Sequence, residues 1–244
     1  MSPQQIYHVL NRGVDKRIIF MDNKDRFRFI HDLFEFNDTK PSSNINYFLK
    51  KDKESAGNIS SGSLTRQYID VGRRYIGTKH KKRDMLVDVL AFCLMPNHYH
   101  LLLSPRVEHG VSLFMKKLNG GYAKYFNEKY KRSGALFQGK FKSVQVTDET
   151  HFIHLPYYIH LNPLDLISPE WREREIKNIK KTMDFLDKYR WSSHLDYCGQ
   201  KNFPSVTQRG FLLGFFEGEK KYKDAIKDWL KNLDLSDGKS LFLE

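Results

Sequence analysis

Cysteine is scarce: Cys93 and Cys198 are the only two in 244 residues. Two thiols cannot build a disulfide framework or a cysteine zinc site, and so few of them fit a reducing cytoplasm. Long apolar runs are missing as well. The longest, 89–95, falls far short of the ~20 residues of a membrane span and suits a core strand. The opening Met1-Ser2-Pro3-Gln4-Gln5 lacks the apolar core of a signal peptide. Acidic residues are in deficit, 29 against 41 Lys and Arg, which leaves a net charge of +12. That balance suits a polyanionic partner, of which nucleic acid is the commonest. An acidic membrane surface would call for a basic amphipathic helix; none stands out, so no membrane partner is expected. There is no internal repeat.

Aromatic residues are plentiful, with 18 Phe and 13 Tyr in a chain that is 40% hydrophobic. A core of useful size is therefore available, and the length fits one domain with an appendage or two small ones. The most informative stretch is Met95-Pro96-Asn97-His98-Tyr99-His100-Leu101-Leu102-Leu103. A Pro-Asn turn joins it to the preceding run, Leu86-Val87-Asp88-Val89-Leu90-Ala91-Phe92. On a strand, residues two apart point the same way, so His98 and His100 share a face. Such a pair can grip one metal ion; it can equally be one core histidine and one surface polar residue.

A second informative stretch lies about sixty residues on, in Tyr157-Tyr158-Ile159-His160-Leu161-Asn162-Pro163. Thr147-Asp148-Glu149-Thr150 offers a helix start, and Pro163 disfavours continuation past Asn162. Tyr158 and Asn162, four apart, stack on one helix face, with His154 one turn earlier. Tyr157 lies about 100° away from that face. Pro156 implies either a kink that aims Tyr158 or a late helix start.

Pro96-Asn97-His98-Tyr99-His100 resembles the His-hydrophobic-His (HUH) signature of single-tyrosine transposases, and Tyr158-Ile159-His160-Leu161-Asn162-Pro163 resembles the nucleophile helix of their REP-associated tyrosine transposase branch. His8-Val9-Leu10-Asn11-Arg12-Gly13, Gly134-Ala135-Leu136-Phe137-Gln138-Gly139-Lys140-Phe141 and Arg190-Trp191-Ser192-Ser193 agree in order. The resemblance implies an α+β, ferredoxin-like HUH fold: an antiparallel sheet flanked by helices, with a helical C-terminal extension. It implies a catalytic domain over 1–165, interrupted by an insertion at about 37–84, with 166–244 packed on it. Tyr158 would be the nucleophile, and His98, His100 and Asn162 the ligands of a divalent ion, Mg or Mn. The reaction implied is cleavage and rejoining of single-stranded DNA next to hairpins through a 5′-phosphotyrosine link, by a monomer or homodimer. Candidate DNA contacts are Arg12, Lys116, Lys117, Lys124, Gln138, Lys140 and Lys142, since cations track phosphates and aromatics stack on bases. Two other readings stand beside this one. The chain could be a catalytically idle DNA- or RNA-binding relative, or a hydrolytic metalloenzyme using His98, His100 and His154.

The remaining elements follow from periodicity. A first strand is expected over 6–10 and an amphipathic helix over 23–36, capped by Asp22 or Asn23, with Phe27, Ile30, Leu33 and Phe34 inward. A long helix over 111–130 would bury Leu113, Phe114, Leu118, Ala123, Tyr125 and Phe126, with Gly120-Gly121 weakening its middle. Its Lys116, Lys117, Lys124 and Lys129 would decorate the surface. A strand is expected over 143–146, a charged helix over 171–189 and a further helix over 211–233. The stretch 37–84 is polar and turn-rich, with Tyr47-Phe48-Leu49 and Tyr68-Ile69-Asp70-Val71 as possible short elements. Its basic run 79–83 either grips phosphate or forms a solvated surface.

Overall fold

The computed structural model describes residues 5–41, 83–173 and 176–231. Most of the proposed insertion, including its two short elements and residues 79–82, lies outside the described residues. In chain order the elements are strand β1 (Tyr7–Arg12), helix α1 (Asn23–Glu35), strands β2 (Val87–Met95) and β3 (His98–Pro105), and helix α2 (Gly110–Lys129). Strand β4 (Lys142–Gln145) and helix α3 (Glu149–Leu161) follow, then α4 (Ile179–Leu186), α5 (His194–Tyr197), α6 (Gly210–Phe215) and α7 (Glu219–Lys231).

The strands form one antiparallel sheet in the order β2-β3-β1-β4. With α1 and α2 as the connections, this is the β-α-β-β-α-β arrangement of ferredoxin-like folds. The Pro96-Asn97 pair closes the β2–β3 hairpin, with Met95 opposite His98. A bulge between Val89 and Ala91 resets the alternation of β2. Beyond it Phe92 and Leu94 share a cluster with Val9, Tyr99 and Leu101, while Cys93 and Met95 join Leu102 on the other face.

Both connecting helices pack on the first of these faces. From α1 come Phe29, Ile30 and Leu33, and from α2 Phe114, Met115, Leu118 and Tyr122. The inward stripe of α1 is therefore rotated from expectation. Phe29 is buried, whereas Phe27 is half-buried and meets Trp191 edge-on at 5.1 Å. The rotation has a polar cause: Asp25 is fully buried and joins the two helices. It completes a capping box with Asp22 and accepts from Lys129 Nζ (2.7 Å), Tyr130 OH (2.8 Å) and Tyr125 OH (3.0 Å). Lys129 is thus a structural tie. Leu113, expected inward, is 46% exposed. Gly121 has a steric reason to be glycine, since a Cβ there would sit 2.4 Å from the Phe36 ring.

The second face is covered by α3 and by the chain after it. Tyr157, Tyr158, Ile159, Leu161 and Leu164 pack there with Trp171, Met183, Tyr197, Leu212 and Tyr222. The same C-terminal segment seals the outer edge of β2. Leu94 N donates to Trp191 O (2.9 Å), Ser193 N to Phe92 O (3.0 Å) and Gln208 N to Val89 O (2.9 Å). Tyr197 and Tyr189 hydroxyls donate to the carbonyls of Leu90 (2.6 Å) and Leu94 (2.7 Å). An edge strand otherwise carries unpaired donors and acceptors, so this covering satisfies groups that would be costly to bury.

Two helical expectations break up. The charged pattern over 171–189 is a 3-10 turn at Pro169–Glu173 and then α4, because Asn178 caps a fresh start by accepting from Lys181 N (2.9 Å). The pattern over 211–233 is divided into α6 and α7 by Glu217 (φ 58°) and Gly218 (φ 104°), left-handed residues that stop one helix before the next. Residues 232–233 lie outside the described residues. No described helix is long and apolar enough to cross a membrane.

Ser193 ties these layers together. Its Oγ accepts from Phe92 N (2.9 Å) and lies 2.6 Å from His160 Nε2 of α3, all in a fully buried setting. Ser193→Ala should lower unfolding free energy by about 1–3 kcal/mol, the cost of leaving a buried donor unpaired. Urea denaturation measures it; an unchanged midpoint would remove Ser193 from this role.

Candidate functional site

Cross-strand rows build the site on the second face. Pairing sets Cys93, His100, Leu10 and Lys142 side by side, then Met95, His98 and Arg12 in the next row. His8 lies diagonal to His100 on the same face, within reach across the pair. Its Nε2 is 3.0 Å from His100 Nδ1, with the rings stacked at 5.2 Å. His98 Nδ1 lies 2.6 Å from Asn97 Oδ1, so that nitrogen carries the proton and Nε2 keeps its lone pair.

Burial keeps these imidazoles neutral. It pushes His8 down from 6.5 to about 3, helped by nearby His151. His98 falls to about 4 through burial and the Arg12 charge, with Asp165 opposing. His100 is driven well below its usual value by burial and by His98 and His8. Neutral imidazole is the form that ligates metals.

A cavity of about 180 Å³ opens beside the pair, lined by Leu10, Arg12, Lys16, Asn97, His98, His100 and Asp165. His100 Nε2 is buried there without a hydrogen-bond partner. An orphaned ring nitrogen beside a second bare imidazole nitrogen fits a divalent ion that accepts nitrogen and oxygen donors. His98 and His100 could hold such an ion.

Helix α3 runs unbroken from Glu149 through Pro156 to Leu161, capped by Asp148, which accepts from His151 N (2.8 Å). This excludes a late start. The two tyrosines of α3 diverge. Tyr158 meets His100 edge-on at 5.7 Å and His8 at 6.1 Å. Tyr157 stacks on Tyr222 at 6.0 Å and against Phe216, on the side of the C-terminal helices. Tyr158 is 1% exposed and Asn162 fully buried, and neither lines the cavity.

Arg172, which the sequence pattern assigned to a charged helix, joins these groups. Its Nε and Nη2 grip Asp165 at 2.9 and 2.8 Å, Nη2 also donates to Asn162 Oδ1 (3.1 Å), and Nη1 donates to the Tyr158 hydroxyl (3.3 Å). The guanidinium lies over the Trp171 and Tyr158 rings at 4.8 and 5.3 Å. Trp171 Nε1 donates to Asp165 (2.6 Å) and holds the carboxylate in place. Asn162 is therefore not offered to the cavity: its oxygen accepts from Arg172, and its amide donates to Tyr158 O (2.8 Å). The residues with side-chain oxygens on the cavity wall are Asp165 and Asn97. His154 accepts from Trp229 Nε1 (3.1 Å), and no described His, Cys, Asp or Glu completes a three-residue metal cluster with His98 and His100. The three-histidine hydrolase reading loses its third ligand.

The expected DNA contacts divide in two. Arg12, Gln138, Lys140 and Lys142 line an adjoining cavity of about 220 Å³ with Leu10 and Asn11. Lys116 and Lys124 are exposed on α2, the helix covering the opposite face, and line neither cavity. Lys117 is occupied structurally, donating to the carbonyls of Asp38 (2.5 Å) and Lys40 (2.8 Å). Asp165 and Arg172 escape the sequence reading, and His8 enters it only within the matched segment His8–Gly13, with no role at the site. The only local signal is that His8 shares the strand alternation of Leu10 and Arg12.

The depressed histidines give stability a definite pH dependence. Below about 6.5 the unfolded chain takes up protons that folded His8 and His98 refuse until about 3 and about 4. Protons then favour the unfolded state, so stability should fall as pH drops from about 6.5 to about 4 in metal-free buffer. His8→Gln should flatten that slope in melting experiments; a slope parallel to the parent's would remove His8 as a contributor.

Comparison with known proteins adds to this geometry. No curated protein matches the chain. Among solved structures, a REP-associated tyrosine transposase bound to a REP hairpin is similar, with 11% identity, a TM-score of 0.41, and 84% of this chain and 86% of that chain covered. Residues 60–162 match the family described as "Transposase IS200 like". The match begins inside the 37–84 stretch and takes in β2, β3, α2, β4 and α3, with His98, His100, Tyr158 and Asn162. Over that stretch the chain is similar to the IS200-like transposase family.

Proposed function

We propose that this chain cleaves and rejoins single-stranded DNA beside hairpins, with Tyr158 as the nucleophile and His98 and His100 as the protein's metal ligands. The observation that carries the reading is the approach of the Tyr158 ring to His100 at 5.7 Å, behind a cavity walled by Arg12 and Lys16. Tyr158 Oη gives up its proton and attacks the scissile phosphorus, the bond to the 3′ oxygen breaks, and that oxygen takes up one proton and leaves as a hydroxyl, with no net change in protons. One phosphodiester is exchanged for another, so rejoining is the reverse step and needs no nucleotide. The Arg172 guanidinium donates to the phenol oxygen and restrains its ring. Arg12, Lys16, Lys140 and Lys142 would track the phosphates, and Gln138 would hydrogen-bond the strand. A bound Mg or Mn would act as a Lewis acid at the phosphate. Asn162 Oδ1 and both Asp165 oxygens already accept from Arg172 or Trp171, so either residue would serve as third ligand through a remaining lone pair, and Asp165 is the one on the cavity wall.

A second reading is favoured by burial. Tyr158 is 1% exposed and Arg172 spans it, as in a nucleic-acid binder that no longer cleaves. Covalent capture separates the two. With labelled single-stranded hairpin substrate and Mn, the parent and Tyr157→Phe should give a denaturant-resistant adduct, and Tyr158→Phe none. Tyr158→Phe should stay folded, losing about 1 kcal/mol at most. An adduct on Tyr158→Phe, or its loss only in Tyr157→Phe, would sink the assignment. Absence of an adduct from the parent under these conditions would favour the binder.

In this reading 1–165 is the catalytic unit, 37–84 an insertion and 166–244 a helical extension. The ends of the insertion already meet: Thr39 N donates to Asp84 O (2.8 Å), and Asn37 pairs with Val87 through both amide atoms (2.8 and 3.0 Å). Replacing 42–82 by a short linker should preserve the circular dichroism spectrum and the melting transition. If the basic run grips phosphate, DNA affinity should fall and its salt dependence flatten. An unfolded product would return the stretch to the core.

A further inference from the structure

We propose that Asp187, His194 and Cys198 form a second metal site, of the zinc class, independent of the His98–His100 cavity. Each offers one ligand atom, and the three atoms lie within 4.8 Å of one another. His194 and Cys198 are four apart and share one face of α5 and its cap, while Asp187 follows the last turn of α4. His194 Nε2 is 3.6 Å from Cys198 Sγ and 3.7 Å from Asp187 Oδ1. A tetrahedral ion with bonds of about 2.0 Å to N and O and about 2.3 Å to S needs edges of about 3.3–3.5 Å. These two edges exceed the ideal by a few tenths of an ångström, within side-chain adjustment, and the third, between Asp187 and Cys198, is at most 4.8 Å.

The hydrogen bonds around the cluster stop short of closing it. Ser193 Oγ lies 2.6 Å from His160 Nε2, His160 Nδ1 2.8 Å from Tyr222 OH, and Tyr222 OH 2.9 Å from His194 Nδ1. The chain fixes the His194 ring by its Nδ1, as the outer partner of a metal-bound histidine does. It ends at Nε2, whose remaining neighbours are the thiol of Cys198 at 3.6 Å and the Asp187 carboxylate oxygen at 3.7 Å, both long contacts. Asp187 Oδ1 is buried with no hydrogen-bond partner. Lys223 takes only the other oxygen, Oδ2, at 3.1 Å. Burial of His194 shields the site, and partial exposure of Asp187 and Cys198 leaves an approach from solvent. Binding would form one bond each to N, O and S, release the thiol proton to water and leave a fourth position for water.

Cobalt(II) and zinc(II) titrations of the full chain test this. Cobalt should bind with a near-ultraviolet sulfur-to-metal charge-transfer band, which no site made of His98 and His100 can produce. Cys198→Ser should abolish that band, and Asp187→Asn should weaken zinc binding by more than about 10-fold. Tyr222→Phe, which loosens the ring of His194, should weaken it by about 10-fold. As a readout independent of variants, zinc should protect Cys198 of the parent from alkylation; Cys93 is fully buried. No charge-transfer band, a band that survives Cys198→Ser, or unprotected alkylation would each overturn the site and leave the cluster a thiol–imidazole contact.

Discussion

The register between β1 and β3 is the constraint on which the site depends. It puts Leu10 opposite His100 and Arg12 opposite His98. Alternation along a strand has period two, so a slip of one residue would carry both histidines to the α1–α2 face. The slip is opposed from both sides. Val9, Tyr99, Leu101 and Leu103 fill one cluster, and Ile6 and Leu102 the other, so no alternative register buries both sets. Near-continuous burial of β2 and β3 is the signature of a sheet covered twice.

That double cover also explains how polar groups survive on the second face. His8, His100, His160, His194, Ser193 and Asn162 are all buried there, and most are bonded to one another or to backbone. Isolated, each would cost free energy to desolvate; linked, they fix side-chain orientations across three segments distant in sequence. The segment after α3 is thus structurally continuous with the sheet. It supplies the partners of the β2 edge, the Arg172 that touches Tyr158, and the Tyr222 that touches His160.

How much was legible follows from the range of each interaction. The shared face of His98 and His100 and the separation of Tyr157 from Tyr158 are readable because they depend on the geometry of a single element. The sheet and its flanking helices are readable from the spacing of apolar residues. Arg172, Asp165 and the His8–His100 contact are not, because only tertiary packing brings them together. Lys117 looks like a surface charge in sequence, yet it donates to carbonyls near the end of α1. The rotated stripe of α1 escapes because a buried aspartate, Asp25, occupies a position where periodicity places no charge. The two over-long helices fail for local reasons, a capping Asn178 and a left-handed Glu217-Gly218 pair, which charge periodicity conceals.

Strand β4 is short, exposed along its whole length and, among the described residues, paired only with β1. It leads directly into Asp148 and helix α3. The helix that carries Tyr158 is consequently supported unequally. Its beginning follows the least protected strand of the sheet, while its end is fastened by Arg172, Asp165 and the Ser193–His160 contact. Local opening is governed by how many contacts must break together, so fraying should spread from β4 into the first turn of α3 and die out before Tyr158. The helix behaves as a cantilever fixed at the tyrosine end, and the proposed nucleophile sits at its stiffest point.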